Sequence, residues 1–279
     1  PMGDAVFALG LTIFALVGGI YLARVIRYPA AVRAEWNHPV KIAFFATATI
    51  ALLLCATALL TRSPQLALVL WLIAMFGQGA LTLAVITSWI SHRAFDMGHL
   101  TPAWFIPAVG NVIVPLGGTA LGYQEISWLF FSGGMLFWLV LLVLVMNRLM
   151  FHDPIPARLL PTLVILIAPP AVGFVAYAKL SGGIDPFARI LLYSAYVFAA
   201  LVVLQVPKLF RLPFVLSFWA LSFPAGALAV ASMTYGQLNG TQAHQMIGAG
   251  VFALLSLLVL GLLQRSLRAA LRGEISQPD

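Results

Sequence analysis

Very few side chains in this sequence have the types and spacing that metal binding or catalysis requires. His92, Asp96 and His99 are four and three residues apart, which on a continuous helix would place two imidazoles and a carboxylate on one face as metal ligands. Gly98 lies inside this stretch and Pro102 follows it, and both residues disfavour a continuous helix. We therefore favour an interfacial loop, with a metal site as the alternative, and we predict no metal or other cofactor.

The other reactive side chains also argue against an enzyme. The five histidines fall at the ends of apolar segments or between them, so no pair faces across a membrane interior as haem ligands would. The sequence has no H-E-x-x-H motif and no aspartate inside an apolar segment, so the usual intramembrane protease chemistries are missing. We interpret the single Cys55 as a small core residue, and we predict no catalytic residue.

The composition is that of an integral membrane protein. Of the 279 residues, 62% are hydrophobic and 8% are charged, whereas a soluble domain carries about 25% charged residues. The apolar runs are about twenty residues long, which favours an all-α bundle in the lipid bilayer over a β-barrel. The formal net charge of +7 does not indicate nucleic acid as a partner, because the basic residues lie between the apolar runs.

The apolar runs predict nine membrane-spanning helices in one transmembrane domain, residues 1–279. The linkers between them are short, such as "TRSPQ" and "LSGGID", so consecutive helices should pair as antiparallel hairpins. The predicted spans are 5–27, 40–60, 66–91, 103–121, 125–148, 157–179, 185–206, 213–236 and 243–266.

The lysine and arginine residues predict the orientation. Cytoplasmic loops carry an excess of basic residues, and alternate sides of the nine spans hold twelve and three of them. The C-terminus is therefore expected in the cytoplasm and the first residue outside, an unusual start that one further helix before it would correct. The twelve are Arg24, Arg27, Arg33, Lys41, Arg93, Arg148, Arg158, Lys208, Arg211, Arg265, Arg268 and Arg272; the three are Arg62, Lys179 and Arg189.

Helix-breaking residues fall on alternate spans. The fourth, sixth and eighth spans contain Pro107, Pro115, Pro161, Pro169, Pro170 and Pro224, whereas the odd-numbered spans have no interior proline. Each interior proline removes one helical hydrogen bond, which a membrane tolerates where the backbone is buried in protein or lines a wet cavity. Any single proline is explained by repair from a neighbouring helix, but the alternation favours an inner ring of kinked helices around a conduit.

The predicted conduit carries no charge at membrane depth. Proton-coupled carriers usually bury an ionisable residue near the midplane, so its absence favours passive conduction. Uncharged hydroxyl and amide groups could solvate an anion, and basic residues at the cytoplasmic mouth, Arg33 and Lys41, would concentrate anions there. The polar groups in the even-numbered spans are Thr47, Thr49, Asn111 and Ser222.

Three stretches resemble the bacterial TehA proteins, which belong with the plant slow-type anion channels and the fungal malate and sulfite transporters. They are "VRAEWNHPVKIAFF" (32–45), "PAWFIPAVGN" (102–111) with "LGYQEISWLFFSGGMLFW" (121–138), and "FWALSFPAGALAVAS" (218–232). The resemblance implies ten helices as five hairpins around a pseudo-fivefold axis, with proline-kinked inner helices lining a central pore, and a homotrimer. It also implies that this sequence lacks the family's first helix, so that span 5–27 corresponds to the family's second.

The resemblance further implies a gate. A phenylalanine on the penultimate helix plugs the pore in the family, and matching "SFP" gives that role to Phe223, beside the kink at Pro224. Leu221 stands where some relatives have another aromatic residue, which leaves the tightness of the plug open. The other pore-lining candidates are Phe44, Thr47, Pro107, Asn111, Pro115, Pro169, Pro170 and Ser222.

These observations favour an anion channel of the bacterial inner membrane, in contact with lipid and with small inorganic or carboxylate anions. The alternative within transport is a carrier for C4-dicarboxylate, sulfite or tellurium oxyanions. A membrane-embedded enzyme or electron carrier is disfavoured, because the apolar segments hold none of the chemistry that either would need.

Overall fold

The computed structural model describes residues 2–91, 95–209 and 211–272, so His92 and Arg93 lie outside the described residues. All the regular secondary structure in these ranges is helical. The chain folds into two compact units, Pro1–His152 and Asp153–Asp279.

The described part of the first unit contains seven α-helices and several short 3₁₀ segments. The α-helices are α1 (Met2–Arg27), α2 (Pro29–Trp36), α3 (Ala46–Leu59), α4 (Pro64–Ser91), α5 (Phe105–Val109), α6 (Val114–Gly118) and α7 (Gln124–Phe151). The 3₁₀ segments are Lys41–Phe45, Met97–His99, Pro102–Trp104 and Gly110–Ile113.

In the second unit, the described residues form four α-helices and two 3₁₀ segments. The α-helices are α8 (Ala168–Ser181), α9 (Pro186–Leu209), α10 (Ser222–Leu238) and α11 (Gln242–Leu271). The 3₁₀ segments are Ala157–Ile167 and Leu216–Leu221. Gly182 (φ 76°) and Gly240 (φ 67°) adopt left-handed backbone conformations in the turns that lead into α9 and α11, where residues with a Cβ would be strained.

Eight of the described helical segments are long and apolar enough to cross a membrane, and a ninth, Pro102–Gly118, is shorter. Four of the nine combine a 3₁₀ segment with an α-helix, and we refer to them as the interrupted spans. They are span two (Lys41–Leu59), span four (Pro102–Gly118), span six (Ala157–Ser181) and span eight (Leu216–Leu238).

The interrupted spans alternate along the chain with uninterrupted α-helices of 24 to 30 residues, which are α1, α4, α7, α9 and α11. Prolines account for the switch from 3₁₀ to α-helix in three of them. Pro115, Pro169, Pro170 and Pro224 each occupy the second or third position of a new α-helix, where a missing backbone N–H breaks no α-helical hydrogen bond.

Two details differ from the pattern that the prolines predict. Span two has no interior proline, yet it begins with the 3₁₀ segment Lys41–Phe45, directly after Pro39 and Val40. Helix α9 continues to Leu209, three residues beyond the predicted end of this span, and therefore includes Pro207. Pro207 lies in the last turn, where the helix ends soon after it.

Candidate anion pathway

The residue predicted to act as the gate lies where span eight changes from 3₁₀ to α-helix. The 3₁₀ segment Leu216–Leu221 is followed by α10, whose first three residues are Ser222, Phe223 and Pro224. The Ser222 hydroxyl donates to the carbonyl of Trp219 at 2.7 Å, inside the turn that precedes the switch. Pro224 is buried, whereas Phe223 keeps 37% of its surface exposed. The aromatic ring is therefore not part of the packed core.

Two hydrogen bonds attach the 3₁₀ segment of span eight to its own unit. The indole N–H of Trp219 donates to the hydroxyl of Ser266 on α11 at 2.9 Å. The hydroxyl of Ser217 donates to the carbonyl of Arg158, in the 3₁₀ segment of span six, at 2.5 Å. No residue of Leu216–Leu221 is buried, so these polar contacts do much to define its position.

The start of span two is shaped by His38, the first residue of the stretch "HPVK". The ring nitrogen Nδ1 of His38 accepts hydrogen bonds from the backbone N–H groups of Val40 and Lys41, at 3.1 and 3.3 Å. These two donors belong to the first turn of the span, where backbone N–H groups have no intrahelical partner. The imidazole therefore serves as an N-terminal cap.

Three of the predicted pathway residues lie in the first turns of span two, and a fourth lies on α2. Phe44 is 38% exposed, and its carbonyl accepts a hydrogen bond of 2.6 Å from the Thr47 hydroxyl. Thr47 and Lys41 are also exposed, as is Arg33 on α2. Phe44 and Phe223 thus share a position close to the switch from 3₁₀ to α-helix, each in its own unit.

Span four is held by a polar network inside the first unit. Asn111 is only 5% exposed, and its amide donates to Thr82 Oγ1 at 3.0 Å and to the Ala108 carbonyl at 2.8 Å. The carbonyl of Pro107 accepts from Gln78 Nε2 at 2.9 Å and from Thr82 Oγ1 at 2.8 Å. The predicted candidates Pro107 and Asn111 are therefore brought together, and their lining of a pore stays a prediction.

The remaining pathway candidates are prolines in the first turns of their helices. Pro115 in α6 and Pro169 and Pro170 in α8 are all buried. Near Pro115, the Trp71 indole N–H donates to the carbonyl of Val114 at 2.9 Å. These prolines shape the backbone and offer no polar side chain to a ligand.

Trp71, Gln78 and Thr82 of α4 are site residues that no pattern considered above predicts. All three side chains donate to groups of span four, although α4 has no interior proline. One signal was available, because Gln78 is an uncharged amide in the middle of a 28-residue apolar helix, four residues before Thr82. A buried amide at that depth needs hydrogen-bond partners.

Charged groups in the described residues lie near the ends of the membrane-spanning helices. Arg148, near the end of α7, donates through Nη1 to the carbonyls of Met97 at 2.7 Å and Leu100 at 2.6 Å, and to that of Gly98. It thereby clamps the loop that precedes span four. Within that loop, the Asp96 N–H donates to His99 Nδ1 at 3.1 Å. Among the described residues, no three His, Cys, Asp or Glu side chains are grouped as a metal site.

In the second unit, Asp185 caps the start of α9. Its carboxylate accepts a hydrogen bond from the Tyr177 hydroxyl at 2.6 Å and from the Ala188 N–H at 2.8 Å. The Tyr177 hydroxyl, followed by the Ala188 N–H, holds the pKa of Asp185 below its usual value, because both donors stabilise the carboxylate.

In the described residues, uninterrupted apolar helices alternate with interrupted ones, and the Asp, Glu, Lys and Arg side chains lie near the helix ends. The chain is therefore a multi-pass α-helical membrane protein. Residues 1–267 match the family described as voltage-dependent anion channel (SLAC1). The chain belongs to this family, in agreement with the resemblance seen in the sequence.

Curated relatives come from plants, archaea and bacteria. The chain is 27% identical to the S-type anion channel SLAH3 of Arabidopsis thaliana over 94% of its own length, which is 42% of the length of that channel. It is 24% identical to the uncharacterized transporter MJ0762 of Methanocaldococcus jannaschii, over 96% of this chain and 86% of the transporter. It is 26% identical to a tellurite resistance protein TehA homolog of Haemophilus influenzae, over 88% of this chain and 74% of that protein.

Proposed function

We propose that this protein is an anion channel of a bacterial inner membrane, in which Phe223 occludes the anion pathway and the break at Pro224 positions its ring. The observation that carries the proposal is the exposed Phe223 at the switch from 3₁₀ to α-helix, in a member of an anion channel family. A bulky apolar side chain that is not committed to the core can block a narrow pathway and still be displaced.

The chemistry of the interrupted spans supports selectivity for anions. Thr47, which is exposed in span two, and Ser222, which is half-buried in span eight, are uncharged, so a passing anion meets no fixed negative charge at either residue. The exposed basic residues Arg33 and Lys41 lie just before span two and at its start, where they would raise the local concentration of anions. We propose that this end is the cytoplasmic mouth.

The orientation and the assembly are part of the proposal. The excess of basic residues on one side of the spans supports a cytoplasmic C-terminus. The family resemblance supports a homotrimer with kinked inner helices around each pore. The substrates that fit such a pathway are small inorganic or carboxylate anions, and the protein has no catalytic step to perform.

A carrier is the second candidate, because one relative is named for tellurite resistance. In this form of the proposal the protein moves C4-dicarboxylate, sulfite or tellurium oxyanions by a saturable step. Carriers that couple transport to protons usually use an ionisable group at membrane depth, whereas the described charged side chains lie near helix ends. This difference favours the channel.

The two candidates are separated by recording reconstituted protein in planar bilayers across chloride, nitrate and malate gradients. A channel gives resolvable unitary currents whose reversal potentials follow the permeant anion. A carrier gives no unitary currents, and vesicle uptake then saturates with substrate and depends on pH. Reversal potentials that follow the cation gradient would contradict both forms of the proposal.

A further inference from the structure

Gln78 is an uncharged amide side chain in the middle of α4 with no exposed surface. Its Oε1 accepts from the Thr49 hydroxyl at 2.7 Å, and its Nε2 donates to the carbonyl of Pro107 at 2.9 Å and to the Thr82 hydroxyl at 3.2 Å. One carboxamide thus connects α3, α4 and α5 at membrane depth, where no water is available as a substitute partner.

The donors of α4 form one line along the helix. Trp71, Gln78 and Thr82 are seven and four residues apart, a spacing that places them on the same helix face. They donate to the carbonyls of Val114 and Pro107, which lie on either side of Gly110–Ile113, the second 3₁₀ segment of span four. The contacts therefore bracket the point at which span four is interrupted.

Close approach of the two segments depends on glycine. A Cβ on Gly110 would lie 2.5 Å from Nε2 of Gln78, and a Cβ on Gly117 would lie 3.0 Å from Cδ1 of Trp71. These glycines let the donor side chains reach the backbone of span four directly. The interruption in span four is therefore supported from outside by its neighbour α4.

Span eight is supported differently within the second unit. The 3₁₀ segment Leu216–Leu221 contains no buried residue. By contrast, all four residues of the 3₁₀ segment Gly110–Ile113 in span four are buried. In span eight, the Ser222 hydroxyl donates to the Trp219 carbonyl from the start of α10, and the side chains of Trp219 and Ser217 donate outward. The break that precedes Phe223 consequently has a looser attachment than the break in span four.

We infer that Gln78 is a positioning residue for anion conduction: its carboxamide, together with Thr82 and Trp71, holds interrupted span four rigid within the first unit, whereas span eight is held less tightly within the second. The role in conduction rests on the proposed function. The rigidity of span four does not, because it follows from hydrogen bonds and can be measured without any current.

Hydrogen exchange read by mass spectrometry on the full chain in lipid nanodiscs tests the rigidity. In the unaltered protein, we expect amides in 110–113 to exchange about tenfold more slowly than amides in 216–221, because exchange follows local opening. Gln78→Leu introduces an apolar side chain of similar size and removes every side-chain hydrogen bond at this position, so exchange in 105–118 should rise about tenfold while 216–228 stays unchanged.

Two further variants keep this test decisive. Thr82→Val removes a single hydroxyl and should accelerate exchange in 105–118 by a smaller factor, whereas Thr87→Val, an exposed threonine of the same helix, should leave it unchanged. Should Gln78→Leu fail to fold, Thr82→Val decides the result. Unchanged exchange in 105–118 for the folded Gln78 or Thr82 variant, or an equal rise in Thr87→Val, overturns the inference.

Currents then test the role in conduction. In the Phe223→Ala background, Gln78→Leu should change the unitary conductance or the nitrate-to-chloride permeability ratio at least about twofold, and Thr87→Val should change neither. Unchanged conductance and permeability in Gln78→Leu overturn the positioning role. A Phe223→Ala protein that passes no current contradicts the proposed function instead, and the exchange comparison alone then decides whether Gln78 fixes span four.

Discussion

The side-chain amide of Gln78 lies directly against the backbone of Gly110, so close that a Cβ on this glycine would be 2.5 Å from the amide nitrogen. The same nitrogen donates to the carbonyl of Pro107 at 2.9 Å. A residue with any side chain at position 110 would therefore displace Gln78 from the carbonyl that it serves. Glycine is therefore required at position 110, because the Gln78 side chain of α4 occupies the space that a Cβ would need.

Gly110→Ala should destabilise the protein by about 1–3 kcal/mol, because the new methyl group must push aside a buried, fully hydrogen-bonded amide. Thermal unfolding in detergent measures the effect. Gly133→Ala is the matched control, since a Cβ there meets nothing within 4 Å in a regular stretch of α7. Equal melting temperatures for the two variants would contradict the close approach of Gln78.

Pro224→Ala should alter the current through the protein. Alanine supplies the N–H that proline lacks, so the helix can extend backwards through the switch and move Phe223. Pro186→Ala is the control, because Pro186 is the first residue of α9 and follows a turn, so no helical segment lies before it into which α9 could extend. If Pro224→Ala and the unaltered protein conduct identically, the break does not position the gate.

Ser266→Ala should weaken the attachment of the 3₁₀ segment of span eight. The variant leaves the half-buried indole N–H of Trp219 without its partner, which should cost about 1 kcal/mol of folding free energy. Ser256→Ala on the same helix is the control, since the Ser256 hydroxyl bonds only to the Phe252 carbonyl one turn earlier. Thermal unfolding of the two variants side by side gives the comparison. A smaller loss for Ser266→Ala than for Ser256→Ala would contradict this role.

Asp185 should contribute to stability in a pH-dependent way. Its pKa in the folded protein is lowered below 3.8 by the Tyr177 hydroxyl and the Ala188 N–H, so the contribution is present above that value and is lost as the pH falls through the folded pKa. Asp185→Asn should therefore lower the melting temperature at pH 7, and the difference between the two proteins should shrink as the pH falls through the lowered pKa of Asp185. A difference that stays constant across this range would contradict the assignment.

Much of the architecture could be predicted from the sequence, because the bilayer imposes strong rules on composition. Apolar runs of about twenty residues mark the helices, and the prolines of spans four, six and eight mark three of the interruptions. The 3₁₀ start of span two carries no interior proline, and its cap by His38 is a contact between a side chain and the following turn. Local sequence rules gave no reason to expect that geometry.

The candidate site was predictable only where the residue carries its own signal. Phe223 and Pro224 stand out because a bulky aromatic residue and a helix breaker are adjacent in an apolar run. Gln78 acts through the carbonyl of Pro107, a residue 29 positions further along the chain. That pairing depends on how α4 packs against span four, and helix propensity or periodicity along one segment does not contain it.

The most direct test of the account is the unitary chloride current of Phe223→Ala in planar bilayers, beside the unaltered protein and Phe252→Ala. Phe252 is an equally bulky and more exposed phenylalanine on α11, so it controls for the loss of aromatic volume. We predict small currents for the unaltered protein and for Phe252→Ala, and currents at least about tenfold larger for Phe223→Ala, because removing the ring opens the pathway. A folded Phe223→Ala protein whose current equals that of the unaltered protein would contradict the role of Phe223 as the gate.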